Sequence, residues 1–102
     1  VPVPDGSAVD LFVEVEKEIN IEEFNKLIKS NSLTSRLKNI LEYSEFPIVS
    51  TDIIGNSKSS IYDSSGTYII NGKYLRTLNW YDNEWGYSNR VVDLVNLLSN
   101  YI

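Results

Sequence analysis

Cysteine and histidine are both absent from the 102 residues. Without cysteine, the chain can form no internal disulfide and offers no thiol nucleophile. Without histidine, it lacks the commonest general base near neutral pH and the commonest zinc ligand. Basic charge is also scarce. Nine Lys and Arg face 14 Asp and Glu, which leaves a formal net charge of −5 and a pI near 4.6. Binding to nucleic acid or to anionic lipid needs a basic face, so both partner classes are set aside. No apolar run approaches the roughly 20 residues of a membrane span. The N-terminus shows no charged-then-apolar signal pattern, and no N-x-S/T sequon occurs. The expectation is a soluble, cytoplasmic setting.

What is present is ordinary globular material. The chain is 42% hydrophobic and 23% charged, which argues against disorder. Its length suits one domain or a piece of a larger one. A chain this short buries well under about 70% of its unfolded surface, so its own stability margin is thin.

The opening "VPVPDGS" reads as extended chain, because each proline fixes its own backbone and disfavours helix in the residue before it. Asp5-Gly6 reads as a turn. "AVDLFVEVE" then alternates: Val9, Leu11, Val13 and Val15 share one face, and Asp10, Phe12, Glu14 and Glu16 the other. That apolar face calls for partners. Asn20 with Glu23 resembles a capping box, and Ile21, Phe24, Leu27 and Ile28 follow at helical spacing. This helix is expected to end between Ser30 and Ser32. A second short helix is expected from Ser35 to Leu41. Ile48 and Val49 suit a short strand, and Gly55-Asn56 suits a turn. "SSIYDSSGTYII" reads as extended. Asn71-Gly72, between "TYII" and "KYLRTLNWY", is a hairpin signal. From Tyr87 to Tyr101 the helical period returns, with Val91, Leu94, Val95 and Leu98 on one stripe. The order predicts an α+β fold: part of a mixed, mainly antiparallel sheet with helices on one face and a C-terminal helix.

Most chemical motifs fail on inspection. Glu14, Glu16, Glu22 and Glu23 read as solvated surface rather than as an acid/base pair. "SKSSIYDSSG" has neither a nucleophile elbow nor a histidine to activate a hydroxyl. Glycine spacing matches no dinucleotide or phosphate loop, and no metal-ligand cluster occurs. One stretch remains, "WYDNEWGYSNRVVDL" from Trp80 to Leu94. Asn83 can both donate and accept, as recognition of a carboxamide requires. Tyr87 offers a flat ring with a polar tip. A plain helix cap explains the same stretch, with Asp82 or Asn83 taking the free N–H groups and Trp85 filling the core. Both readings stand on the residues alone.

That stretch closely resembles the C-terminal signature of the phosphorylating glyceraldehyde-3-phosphate dehydrogenases. "VPVPDGSAVDL", "IEEFNKLIK" and "LKNILEYSEFPIVSTDIIGNSKSSIYD" are similar to earlier family segments, and they fall in the family's order. The likeness spans residues 1–102. It implies the C-terminal portion of the family's catalytic domain, with the Rossmann domain and the nucleophile segment lying outside it. The family's catalytic Cys and His lie upstream, and the arginine that helps bind substrate phosphate falls just before Val1. The chain alone is therefore expected to be inactive, with no catalytic residue of its own and no metal site.

The resemblance also implies an enzymatic setting. The family oxidises glyceraldehyde 3-phosphate to 1,3-bisphosphoglycerate with NAD and inorganic phosphate, a step of glycolysis, and usually forms a homotetramer. By position, Asn83 matches the asparagine that contacts the nicotinamide carboxamide, and Tyr87 the tyrosine near the nicotinamide. Tyr81 matches a tyrosine close to the catalytic pair. Asp82, Glu84 and Arg90 match positions read as structural. The choice of NAD over NADP rests largely with the Rossmann half. Two alternatives stay open here. A fragment of the sister erythrose-4-phosphate dehydrogenases is one, although cysteine and phenylalanine are expected there in place of Tyr81 and Tyr87. A free-standing binding module derived from this half-domain is the other.

Overall fold

Asn71 and Gly72 turn the chain with φ of 51° and 71°. Both angles lie in the left-handed region that a type I′ hairpin turn needs and that Asn and Gly adopt most readily. The turn closes with Lys73 N donating to Ile70 O at 3.2 Å. On either side run β3 (Ser60–Ile70) and β4 (Tyr74–Tyr81), paired antiparallel. β1 (Ser7–Glu14) pairs antiparallel with the far side of β4, from Ser7 opposite Tyr81 to Glu14 opposite Tyr74. β2 (Leu41–Ser44) pairs parallel with β3. The sheet order is thus β1-β4-β3-β2. The computed structural model describes residues 1–102. It has the α+β class and mixed, mainly antiparallel sheet expected from the sequence.

The helices are α1 (Ile21–Ser32), α2 (Ser50–Ile53) and α3 (Trp85–Ser99). Asn20 caps α1 as expected, its Oδ1 accepting from Glu23 N at 3.1 Å. α1 packs across β2 and β3. Phe24 leans on Tyr62 with ring centroids 6.2 Å apart, Tyr43 stacks on Tyr62 at 5.6 Å, and the Tyr62 hydroxyl donates to Asn25 Oδ1 at 2.7 Å.

Two expectations fail. Ser35–Leu41 is no helix. Helical turns do form, with Lys38 N donating to Thr34 O at 2.9 Å and Leu41 N to Leu37 O at 2.8 Å. Leu41 then leaves to pair with Ser60 as the first residue of β2, because the stacking of Tyr43 on Tyr62 outweighs a weak local preference. Ile48 and Val49 form no strand. They lead into α2, where the Asp52 carboxylate accepts from Val49 N at 2.8 Å.

β3 carries an irregularity between Asp63 and Tyr68. Gly66 sits in it, where an added Cβ would lie 2.7 Å from Leu78 Cδ2. A side chain there would collide with the next strand.

The core is small. Its buried apolar residues are Ile53, Ile61, Tyr62 and Leu75. The radius of gyration is 15.3 Å, against about 13 Å for a compact domain of this length. Two apolar surfaces are left open. Val9 and Leu11 of β1 remain about half exposed, and so does α3 from Val91 to Leu98. Both stripes are the apolar faces that the sequence pattern marks as needing partners.

Candidate functional site

The site forms where β4 ends, α3 begins and the start of β1 lies alongside. Asp82 organises it and is almost fully buried, with 2% exposure. Its Oδ1 accepts from Glu84 N and Trp85 N, both at 2.9 Å. Its Oδ2 accepts from Gly55 N at 2.8 Å. A single carboxylate thus satisfies two free N–H groups at the helix mouth and ties them to the turn after α2. Those N–H groups hold the Asp82 carboxyl at a pKa of about 2, with Gly55 and Trp85 contributing most.

Asn83 does not cap the helix. Its side chain reaches back to β1, where Oδ1 accepts from Gly6 N at 3.0 Å and from Ser7 Oγ at 3.2 Å. Gly6 has φ of 106°, which lets its N–H turn toward Asn83. Both lone pairs of Oδ1 are therefore engaged. The Nδ2 donors make no hydrogen bond within the chain, and the residue is exposed. The result is an amide fixed at one end and open at the other.

Tyr87 lies in the first turn of α3, 72% exposed. Arg90 stitches α3 to the chain before β3, donating from Nη1 to Ser59 Oγ at 3.0 Å and from Nε to Asp93 Oδ2 at 2.8 Å. Gly86 permits this closeness, since a Cβ there would lie 2.9 Å from Lys58 O. On the strand behind, Trp80 Nε1 donates to Asp63 Oδ2 at 3.1 Å.

The structure thus divides what the sequence left open. Asp82 is the cap and Asn83 is not. Trp85 does not fill the core, being 50% exposed. Asn83, just before α3, and Tyr87, in its first turn, are both exposed. Sequence reasoning missed Asp5. It treated Asp5-Gly6 as a turn alone, yet the Asp5 carboxyl is held above its ordinary pKa, chiefly by Asp82. The signal was available in principle, because both residues flank paired strand ends. Without the register, no spacing rule links positions 5 and 82. Glu14, Glu16, Glu22 and Glu23 are exposed, as expected of a solvated surface.

Comparison with known proteins supplies the wider frame. A family model described as glyceraldehyde 3-phosphate dehydrogenase, C-terminal domain, matches residues 1–83. A glyceraldehyde-3-phosphate dehydrogenase of Thermotoga maritima is 53% identical over 93 residues, covering 91% of this chain and 28% of that protein. The Geobacillus stearothermophilus protein of that name is 50% identical over 94 residues, covering 92% and 28%. A cytosolic one from Pinus sylvestris is 48% identical over 95 residues, covering 93% and 28%. The chain spans less than a third of the length of these relatives.

Proposed function

The chain belongs to the glyceraldehyde-3-phosphate dehydrogenase family, and on that premise we propose that residues 1–102 serve as the C-terminal portion of the catalytic domain in a complete phosphorylating dehydrogenase. That enzyme would oxidise glyceraldehyde 3-phosphate to 1,3-bisphosphoglycerate with NAD and inorganic phosphate. The setting would be cytoplasmic, as the name of the Pinus sylvestris relative supports. No helix here is long and apolar enough to cross a membrane.

The single observation that carries the reading is the half-engaged amide of Asn83. Its oxygen is held by Gly6 and Ser7, and its nitrogen has no partner in the chain. A fixed donor of this kind suits a carboxamide oxygen, so the residues present fit NAD. When bound, NAD accepts the hydride removed from the substrate. Asn83 would donate from Nδ2 to the carboxamide and so help decide which face of the nicotinamide meets the substrate. Tyr87, exposed beside it, would lie near the ring. The chain has no Cys and no His, so the nucleophile and its base would come from outside these residues. The role of the chain is to orient and enclose.

The half-exposed faces of β1 and α3 support assembly with further chain. The complete enzyme would be a homotetramer, the usual form in this family. Preference for NAD over NADP would be set at the ribose, outside this region.

Asn83→Asp tests the reading. It keeps an oxygen for Gly6 and Ser7 but removes the donor. In the complete dehydrogenase it should weaken NAD binding without loss of fold. Unchanged NAD affinity would overturn the role given to Asn83.

A further inference from the structure

A backbone N–H can only donate, so the Asn83 atom that faces Gly6 N at 3.0 Å must be the amide oxygen. That settles the Ser7 hydroxyl as well. Its Oγ lies 3.2 Å from the same oxygen and donates to it. The last torsion of an asparagine side chain has only a broad preference of its own. Contacts therefore decide where the amide points. A single donor leaves Oδ1 a wide arc. Two donors from adjacent residues narrow that arc, and with Oδ1 confined the Nδ2 donors are aimed as well.

The two donors are held in different ways. Gly6 stands against α2, where an added Cβ would lie 3.1 Å from Ile53 Cδ1 and 3.3 Å from Ser50 Cβ. Ile53 is 2% exposed. Just beyond α2, Gly55 N donates to Asp82 Oδ2 at 2.8 Å, and Asp82 is the residue before Asn83. A closed ring results: Asn83 to Gly6, Gly6 to α2, α2 through Gly55 to Asp82, and back to Asn83. The ring is made of backbone, apolar packing and one buried carboxylate.

The Ser7 side chain is not a link in that ring. Its backbone is placed by β1, where Ser7 lies opposite Tyr81. Its hydroxyl makes one hydrogen bond, to Asn83. Removing the hydroxyl leaves the ring and the helix mouth in place. What it takes away is the second donor on Oδ1.

We infer that Ser7 is a positioning residue: its hydroxyl confines the Asn83 amide and so aims Nδ2 at the carboxamide oxygen of the cofactor. The inference rests on the reading of Asn83 given above. Ser7 acts through Asn83, so its effect belongs to NAD binding and depends on that amide being present. Alanine at this position keeps the strand and loses the donor. Threonine keeps the hydroxyl and suits a strand.

The test uses the complete dehydrogenase that carries this chain, as parent, Ser7→Ala, Ser7→Thr, Asn83→Ala and the Ser7→Ala, Asn83→Ala double variant. NAD affinity is measured by titration calorimetry, and the thermal midpoint is measured without NAD. Ser7→Ala should weaken NAD binding about threefold, the worth of one modest hydrogen bond. Its midpoint should fall less than that of Asn83→Ala, which loses the Gly6 contact too. Ser7→Thr should bind NAD as the parent does. In the Asn83→Ala background, Ser7→Ala should cost no further NAD affinity. Parent-like NAD binding by Ser7→Ala overturns the positioning role. So does Ser7→Thr binding as weakly as Ser7→Ala, or a loss from Ser7→Ala that persists undiminished beside Asn83→Ala. If Asn83→Ala alone leaves NAD affinity intact, the reading of Asn83 fails and the role of Ser7 with it. If Asn83→Ala weakens NAD binding and Ser7→Ala does not, that reading stands and the role of Ser7 alone falls.

Discussion

Asn83 accepts a hydrogen bond from Gly6 N at 3.0 Å across 77 positions of sequence. The contact locks the helix mouth of α3 to the start of β1. It also leaves the amide nitrogen as the one part of Asn83 open to a ligand. Both consequences can be tested separately.

Asn83→Ala removes the acceptor and the donor together. Loss of the two contacts to Gly6 and Ser7 should cost about 1 kcal/mol of stability, since both partners are near solvent and can rehydrate. Loss of the donor should cost NAD affinity by about the same amount, roughly fivefold. Calorimetry and NAD titration of the complete enzyme measure the two. A stability loss with no change in NAD affinity would make Asn83 purely structural.

Asp82→Ala should be more damaging. It strands Gly55 N, Glu84 N and Trp85 N and removes the cap of α3. A loss of about 2 kcal/mol is expected from the cap alone. The pH dependence has a definite sign. The folded Asp82 pKa of about 2 lies below its ordinary 3.8. Its contribution is therefore full above about pH 4 and is lost as pH falls toward 2. Acid unfolding of Asp82→Ala, followed by circular dichroism, should lose that part of the acid sensitivity.

Gly86→Ala should destabilise, although alanine is the better helix former by about 1 kcal/mol. The new Cβ would lie 2.9 Å from Lys58 O, and backbone cannot give way cheaply there. Since Gly86 adjoins Tyr87, the first turn of α3 should shift outward and NAD binding should weaken. A raised thermal midpoint would contradict the packing described.

The 102-residue chain by itself should be inactive and should self-associate or remain partly ordered. Its buried apolar core is four residues, and each large side chain left in water forgoes about 1.5–3 kcal/mol of burial. A handful of these matches the whole stability of a small domain, about 5–15 kcal/mol. The outer edge of β1 also presents unpaired backbone groups. A monodisperse monomer with dispersed NMR peaks and a cooperative melt would contradict this.

Period and turn chemistry made much of the fold legible. The alternation around Val9, the Asn20 cap, the Asn-Gly turn and the stripe after Tyr87 each rest on neighbours within one or two turns of chain. β2 was not legible, because Leu41–Ser44 becomes a strand only by lying beside Ser60–Asp63. At the site, Asn83 and Tyr87 were visible as chemistry in a single stretch. The division of labour between Asp82 and Asn83 was not. Both can cap a helix, and only the pairing of Ser7 with Tyr81 brings Gly6 close enough to claim Asn83. Asp5 was hidden for the same reason.

The central claim is that this chain supplies a working C-terminal portion to a dehydrogenase. The most direct measurement exchanges it for the corresponding segment of the Geobacillus stearothermophilus relative, which is 50% identical over 94 residues. The chimaera is then assayed for oxidation of glyceraldehyde 3-phosphate with NAD and phosphate. Turnover that falls when Asn83→Ala is introduced is the predicted result. A folded chimaera that binds no NAD and turns over no substrate would contradict the account.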